Sequence, residues 1–220
     1  ANADATAFTC ELRDDLFFQP DPCFKHSKVD STGWGRKVTA HDVVFSFLRI
    51  ADARVRSPGF WIWRRKIKGI ERFRALTRQA APGDMTPYQI GCEGFKVIDD
   101  RRFQIHLERP DPRLPYVLAM PYAAVVPREA VEMYAEDFGF HPVGSGPFQV
   151  SIWRRDYVLR LKRFAGFRKQ LFGAAQDPAD RERPLPYLDE IVCYLVKQPM
   201  SSWLMFLQGE LDMSSLNKEN

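Results

Sequence analysis

The chain lacks the motifs of several enzyme classes. It contains no G-x-S-x-G elbow, no P-loop and no dinucleotide-binding glycine fingerprint, each of which places a catalytic or phosphate-binding group at a strand-to-helix turn. Gly144-Ser145-Gly146 is no nucleophile elbow, because Pro147 stands where the helix would begin. Carboxylate pairs of the glycosidase type have no fixed sequence spacing, so a hydrolase with a carboxylate pair stays an alternative.

Cysteine and histidine are scarce, with four residues of each. Neither C-x-x-C nor zincin spacing occurs, so no metal site and no cofactor is predicted. Cys10 and Cys23 flank a predicted hairpin, and a disulfide between them in an oxidising compartment is left open. Cys92 and Cys193 are predicted to be free, Cys193 inside an apolar strand. Structural or solvated roles are predicted for all four histidines: His26, His41, His106 and His141.

Long apolar runs are also missing. No segment approaches the roughly 18 consecutive apolar residues of a membrane-spanning helix. The first five residues, Ala1-Asn2-Ala3-Asp4-Ala5, have neither the charged nor the apolar region of an export signal. If the protein is exported, we expect its signal to have been removed or to lie outside this sequence.

What is present favours a globular protein. Hydrophobic residues make up 45% of the 220 residues, including 17 Phe and five Trp, which suffices for one large or two modest cores. The net charge of +4 is mild. A nucleic-acid-binding module in the basic region 64–74, beside Trp61, Trp63 and Phe73, is a second alternative. The favoured interpretation is a solvated surface whose aromatic side chains face inward.

Hydrophobic patterning predicts several elements in the first two thirds of the chain. Alternation of Phe8, Cys10 and Leu12 predicts a strand. Thr39 and Asp42 have the spacing of a capping box that opens a helix of about three turns. A hairpin is predicted around residues 95–107, and a helix over 128–138 whose acidic residues, Glu129 among them, form a solvated face.

After Gly146, which as a glycine can take a positive φ without steric cost, the predicted elements change. A strand pair covers 148–150 and 157–161, an irregular loop 166–183, and a central strand covered on both faces 191–196. Ser201 or Ser202 is predicted to cap a helix through Leu207 that carries Trp203 in the core. Extended structure over 211–213 would complete a strand–helix–strand crossover.

Six segments, in order, carry a family resemblance. They are Thr39–Arg49 (T-A-x-D-V-x-[FY]-S-[FL]-x-R), Leu107–Pro110, Pro127–Ala130, Gly144–Phe148 (G-[ST]-G-P-[FY]), Pro186–Ile191 and Gly209–Asp212 (G-E-x-D). Together they resemble the extracellular solute-binding proteins of family 5, the peptide/nickel-type receptors of bacterial ABC importers. The stretch 53–92 departs from the pattern because it is longer and more basic.

The resemblance implies a mixed α+β and α/β fold, part of a periplasmic binding protein type II-like architecture. Residues 1–140 would form the small accessory α+β domain and residues 141–220 part of the first ligand-binding lobe, with the second lobe outside this sequence. Gly144, Gly146 and Pro147 would form the structural turn between them.

The implied function is capture of an oligopeptide or similar solute by lobe closure, without catalysis. Delivery would be to an ABC permease of the inner membrane, from a periplasmic or membrane-anchored extracytoplasmic location. No nucleic-acid partner is expected. Met213, Ser214 and Ser215, just after the G-E-x-D block, are the predicted edge of the ligand cleft.

Overall fold

A computed structural model describes residues 2, 4–24 and 35–215 of the chain. His26 and much of the predicted loop 19–37 lie outside the described residues. The chain divides into two compact units. Unit 1 is Ala1–Gly146 with Gly166–Arg168, and unit 2 is Pro147–Ala165 with Lys169–Asn220. The fold is mixed α and β, as predicted.

Within the described residues, unit 1 contains a three-stranded antiparallel sheet and five α-helices. Its elements are β1 Ala7–Glu11, α1 Ala40–Ala51, α2 Ile70–Gln79, α3 Thr86–Ile90, β2 Phe95–Val97, β3 Arg102–His106, α4 Leu114–Leu118 and α5 Arg128–Tyr134. The strand order is β1-β3-β2. Phe8 and Phe95 both lie opposite Ile105, so the apolar alternation of all three strands points to one face.

Helix α1 begins as its capping box predicts. The Asp42 carboxylate accepts hydrogen bonds from the backbone N–H of Thr39 at 2.8 Å and from its hydroxyl at 2.9 Å. Phe47, on the buried face of the helix, packs against the rings of Trp63, Phe95 and Phe103 at centroid separations of 5.0, 5.5 and 6.2 Å. This aromatic cluster is the centre of the unit 1 core.

The basic stretch after residue 57 is only partly α-helical. A 3₁₀ turn covers Pro58–Ile62, and α2 begins only at Ile70. The interruption is Gly69, whose φ of 73° is left-handed and incompatible with a continuous helix. The predicted helix after Pro127 is also shorter, because a 3₁₀ segment, Ala135–Phe140, replaces its last turns.

The described part of unit 2 contains a second antiparallel sheet of order β4-β5-β6 and two helices. Its elements are β4 Phe148–Arg154, β5 Val158–Arg163, α6 Pro178–Glu182, β6 Glu190–Tyr194 and α7 Pro199–Leu207. The short helix α6 lies inside the stretch expected to be an irregular loop. Within the described residues β6 pairs only with β5, so β5 is the central strand and the prediction of a central strand at 191–196 is wrong.

Three further predictions for unit 2 are wrong. Helix α7 has Gln198 as its N-cap and Pro199 at its first position, because proline needs no hydrogen-bond acceptor there. Trp203 is half-buried rather than in the core. No strand follows α7 within the residues described up to Ser215.

All four cysteines are free thiols in the structure. Burial, the main cause, raises the pKa of Cys10, Cys92 and Cys23, the last to about 12. The Asp21 carboxylate adds to the rise at Cys23 by a hydrogen bond that favours the neutral thiol.

Candidate functional site

The Gly144–Pro147 turn coincides with the border between the two units. The carbonyls of Gly144 and Gly146 accept hydrogen bonds from the backbone N–H and the side-chain Nε2 of Gln19, at 2.8 and 3.1 Å. Neither glycine has a positive φ, and a Cβ on Gly146 would meet no atom within 4 Å. The turn therefore does not use the positive φ that glycine allows, and the hydrogen bonds from Gln19 hold it.

The predicted cleft residues lie near the end of α7 in unit 2. Met213 is 86% exposed. Ser214 is half-buried, and its hydroxyl oxygen lies 3.2 Å from that of Ser202 on α7. Ser215 is exposed. The segment thus presents one long apolar side chain and two hydroxyls beside the helix, and its role at a cleft stays a prediction.

Unit 2 exposes many large apolar side chains. The exposed residues are Ile152, Trp153, Tyr157, Leu171, Phe172, Leu188, Tyr194, Leu195, Met200, Leu204, Phe206, Leu207 and Met213. Trp203 stacks on Phe206 with ring centroids 5.4 Å apart. Soluble proteins rarely leave so much apolar surface uncovered unless it serves binding. Unit 2 therefore has the surface composition of a region that binds a ligand or another protein surface.

An arginine bridge that the sequence did not indicate organises one side of unit 1. The Arg36 guanidinium donates two hydrogen bonds to the carboxylate of Asp42 and two to that of Glu129, at 2.6–2.8 Å. It also lies over the rings of Phe18 and Phe24, 5.2 and 5.6 Å from their centroids. The prediction of Glu129 as part of a solvated face is wrong, because Arg36 reaches it from 93 positions away.

The same bridge sets the acidity of Glu129. Burial by itself would raise the pKa of this carboxyl group, but the hydrogen bonds from Arg36 outweigh it and hold the pKa below its ordinary value. A second ion pair has the same effect on Asp52. Arg54 donates to both carboxylate oxygens of Asp52 and Tyr88 donates at 2.9 Å, so the pKa of Asp52 is also lowered despite burial.

The directions of the carboxyl pKa shifts are relevant to the hydrolase alternative. Every described carboxyl group whose pKa departs from its ordinary value is shifted downward: Asp15, Asp52, Asp84, Asp99, Asp111 and Glu129. A general acid of the glycosidase type needs the opposite shift. Within the described residues, no cluster of His, Cys, Asp and Glu could hold a metal ion.

The described histidines lie apart from one another. His41 is exposed in the first turn of α1, with its Nε2 3.9 Å from the Asp100 carboxylate. His106 lies 3.2 Å from the side-chain oxygen of Gln104, and burial together with nearby lysines lowers its pKa. His141 stacks on the ring of Tyr134 at 4.1 Å.

Two of the three aromatic residues considered for base stacking beside the basic region 64–74 are buried. Trp63 and Phe73 are 0 and 1% exposed and belong to the core. The Arg74 guanidinium lies over the ring of Phe60 at 4.1 Å and donates to the carbonyl of Ala51. Base stacking needs exposed rings, so this region offers Trp61 as its one exposed tryptophan within the described residues.

Two adjoining cavities lie along the outer face of α1 in unit 1, with volumes of about 650 and 560 Å³. Phe45, Tyr88 and Glu132 line both. The larger contains the Arg36 bridge, and the smaller contains the Asp52–Arg54 pair. Cavities of this size are within the range of small-molecule sites. Among the described residues, no helix has the length and apolarity to cross a membrane.

Comparison with known proteins gives relatives of one kind. The glutathione-binding protein GsiB of Salmonella typhimurium is 37% identical over 75 residues, which are 34% of this chain and 15% of GsiB. The substrate-binding domain of an oligopeptide ABC transporter from Bacillus anthracis superposes with a TM-score of 0.71 at 22% identity. That match covers 100% of this chain and 36% of the other.

A third similar protein binds a different solute. MoaA from A. tumefaciens R10, whose structure holds mannopinic acid, superposes with a TM-score of 0.65 at 23% identity, over 96% of this chain and 32% of its own. The chain thus spans about a third of the length of these structures. The sequence profile of the bacterial extracellular solute-binding proteins, family 5 Middle, matches residues 1–220. The chain therefore belongs to the bacterial extracellular solute-binding proteins of family 5.

Proposed function

We propose that this protein is the substrate-binding component of an ABC importer and captures short peptides, from a glutathione-like tripeptide to an oligopeptide. The family match over all 220 residues carries the receptor assignment. The peptide assignment is supported by the glutathione-binding relative and by the likeness in fold to an oligopeptide-binding domain. The protein would act outside the cytoplasm, in the periplasm or anchored to the membrane, and hand its solute to a permease.

Unit 1 would be the accessory domain and unit 2 part of the first ligand-binding lobe. The Gly144–Pro147 turn would return the chain from one to the other. Met213, Ser214 and Ser215 would lie at the edge of the cleft. The exposed apolar side chains of unit 2 support this assignment, since a ligand or a closing lobe would cover them.

Isothermal titration calorimetry of the whole protein tests the ligand class. The panel is reduced glutathione, tri- to pentapeptides of mixed sequence, and mannopinic acid. The expected result is binding of at least one peptide. At a free peptide concentration of a hundred times Kd, binding should raise the free energy of unfolding by about 2.7 kcal/mol. Binding of mannopinic acid with no response to any peptide would overturn the peptide assignment, and no response to any solute would overturn the receptor assignment.

Serine variants test the predicted cleft edge. We expect Ser214→Ala and Ser215→Ala each to weaken peptide binding about three- to tenfold, the loss of one hydrogen bond to the ligand. Ser151→Ala is the matched control, since its hydroxyl lies on β4 and bonds the Arg160 carbonyl at 3.2 Å. Equal peptide affinities for all three variants would show that Ser214 and Ser215 do not contact the peptide.

A further inference from the structure

The 560 Å³ cavity of unit 1 contains an arginine that forms no ion pair with a described residue. Arg49, on α1, lines the cavity and places its guanidinium over the ring of Phe138, 4.9 Å from the centroid. No described residue accepts a hydrogen bond from this guanidinium. Its five N–H donors are therefore not committed to any acceptor among the described residues, although the side chain is half-buried.

The other charges that line the cavity are already matched, with one exception. Arg54 uses its donors on Asp52 and on the carbonyls of Ala81 and Asp84. Glu132 accepts from Arg128 at 2.6 Å. The exception is Glu136, which is exposed at the rim of the cavity and has no ion-pair partner among the described residues.

Burial penalises the charge of Arg49, and its pKa is lowered as a result, even though Tyr88 and Asp52 favour the charged form. An anion placed against the guanidinium would remove that penalty, and a carboxylate matches its two-pronged geometry. The rest of the wall is mainly apolar. Its members are Phe45, Val55, Pro82, Met85, Tyr88 and Val131.

We propose that this cavity binds a small carboxylic acid with an apolar or aromatic body, with the carboxylate on Arg49 and the body against Phe45, Met85 and Val131. All residues that line the cavity belong to unit 1. The site is therefore separate from the peptide cleft proposed above. The protein could then bind a second solute with an affinity that does not depend on peptide binding.

A matched pair of ligands tests the charge requirement without altering the protein. In calorimetry on the whole protein, 4-phenylbutyrate should bind about ten- to hundredfold more tightly than the neutral 4-phenylbutanol, since hydrogen bonds to charged groups are the stronger ones. A saturating peptide in the cleft should leave the phenylbutyrate affinity unchanged. Equal affinity for acid and alcohol, absence of binding, or competition by the peptide would each overturn the proposal.

Variants then locate the site. Arg49→Met retains the length of the side chain and should lower phenylbutyrate affinity to the level of the alcohol. Glu136→Gln removes the repulsive rim charge and should raise affinity about twofold. Arg72→Met, an exposed arginine on α2 that does not line the cavity, is the control and should change nothing. Unchanged binding by a folded Arg49→Met protein would overturn the proposal.

Discussion

Replacing Arg36 by Met should destabilise unit 1 by about 3 kcal/mol. The Arg36 side chain is 17% exposed and holds Asp42 and Glu129, which are 5 and 31% exposed. Removing one partner of a buried ion pair costs about 3–5 kcal/mol, because the charge that remains has lost its compensation. The low end of that range applies here, since Asp42 keeps the two hydrogen bonds from Thr39 and Glu129 is open enough to hydrate.

Arg128→Met is the matched control. Arg128 also pairs with a glutamate at 2.6 Å, but both side chains are about half exposed and four residues apart on one helix. Such pairs contribute about 0.3–0.5 kcal/mol. Urea unfolding of the two variants, followed by tryptophan fluorescence, should give a much lower midpoint for Arg36→Met and an almost unchanged one for Arg128→Met.

The pH dependence gives a second measure of the bridge. Because the pKa of Glu129 is lowered in the folded state, its contribution to stability is present above the ordinary glutamate pKa of about 4.3 and is lost as the pH falls through the lower folded value. The difference between wild type and Arg36→Met should therefore shrink below about pH 4. A free energy of unfolding for Arg36→Met within about 0.5 kcal/mol of that of the control at pH 7 would refute the reasoning.

Three further predictions concern glycine, cysteine and the core. Gly94→Ala should destabilise by more than 1 kcal/mol in thermal unfolding, because its Cβ would overlap Ile67 and lie 2.8 Å from the Lys68 carbonyl oxygen, whereas Gly146→Ala should be nearly neutral; equal effects would contradict this. At pH 8, iodoacetamide should label exposed Cys193 well before Cys23, whose pKa is raised to about 12; mass spectrometry showing Cys23 labelled first would contradict it. Phe47→Ala should cost about 3–5 kcal/mol in urea unfolding, since it empties the centre of the aromatic cluster, and a cost below about 1 kcal/mol would argue against that packing.

Local patterns predicted the elements that depend on local interactions. The capping box of Thr39 and Asp42 places the start of α1 correctly, because both partners lie within one turn. The alternation of Phe103, Ile105 and Leu107 predicts β3, since one face of that strand is buried and the other is wet. The order of the motifs along the chain indicated the family.

Patterns failed where burial depends on what covers an element. The apolar run 191–196 has the composition of a strand buried on both faces, yet β6 pairs on one side only within the described residues. Trp203 has apolar neighbours in sequence but is only half-buried. Composition reports how apolar a surface is, and burial depends on the partner that packs on it.

The sequence by itself determined the family, the mixed α/β class and the local starts and turns of helices and hairpins. Only the tertiary structure decided which charges are paired. Arg36 meets Glu129 across 93 positions, and Arg49 lines a cavity without donating a hydrogen bond to any described residue. Their sequence contexts do not distinguish them, because the free energy of a charge depends on burial and on the groups within hydrogen-bonding distance, and both are properties of the folded chain.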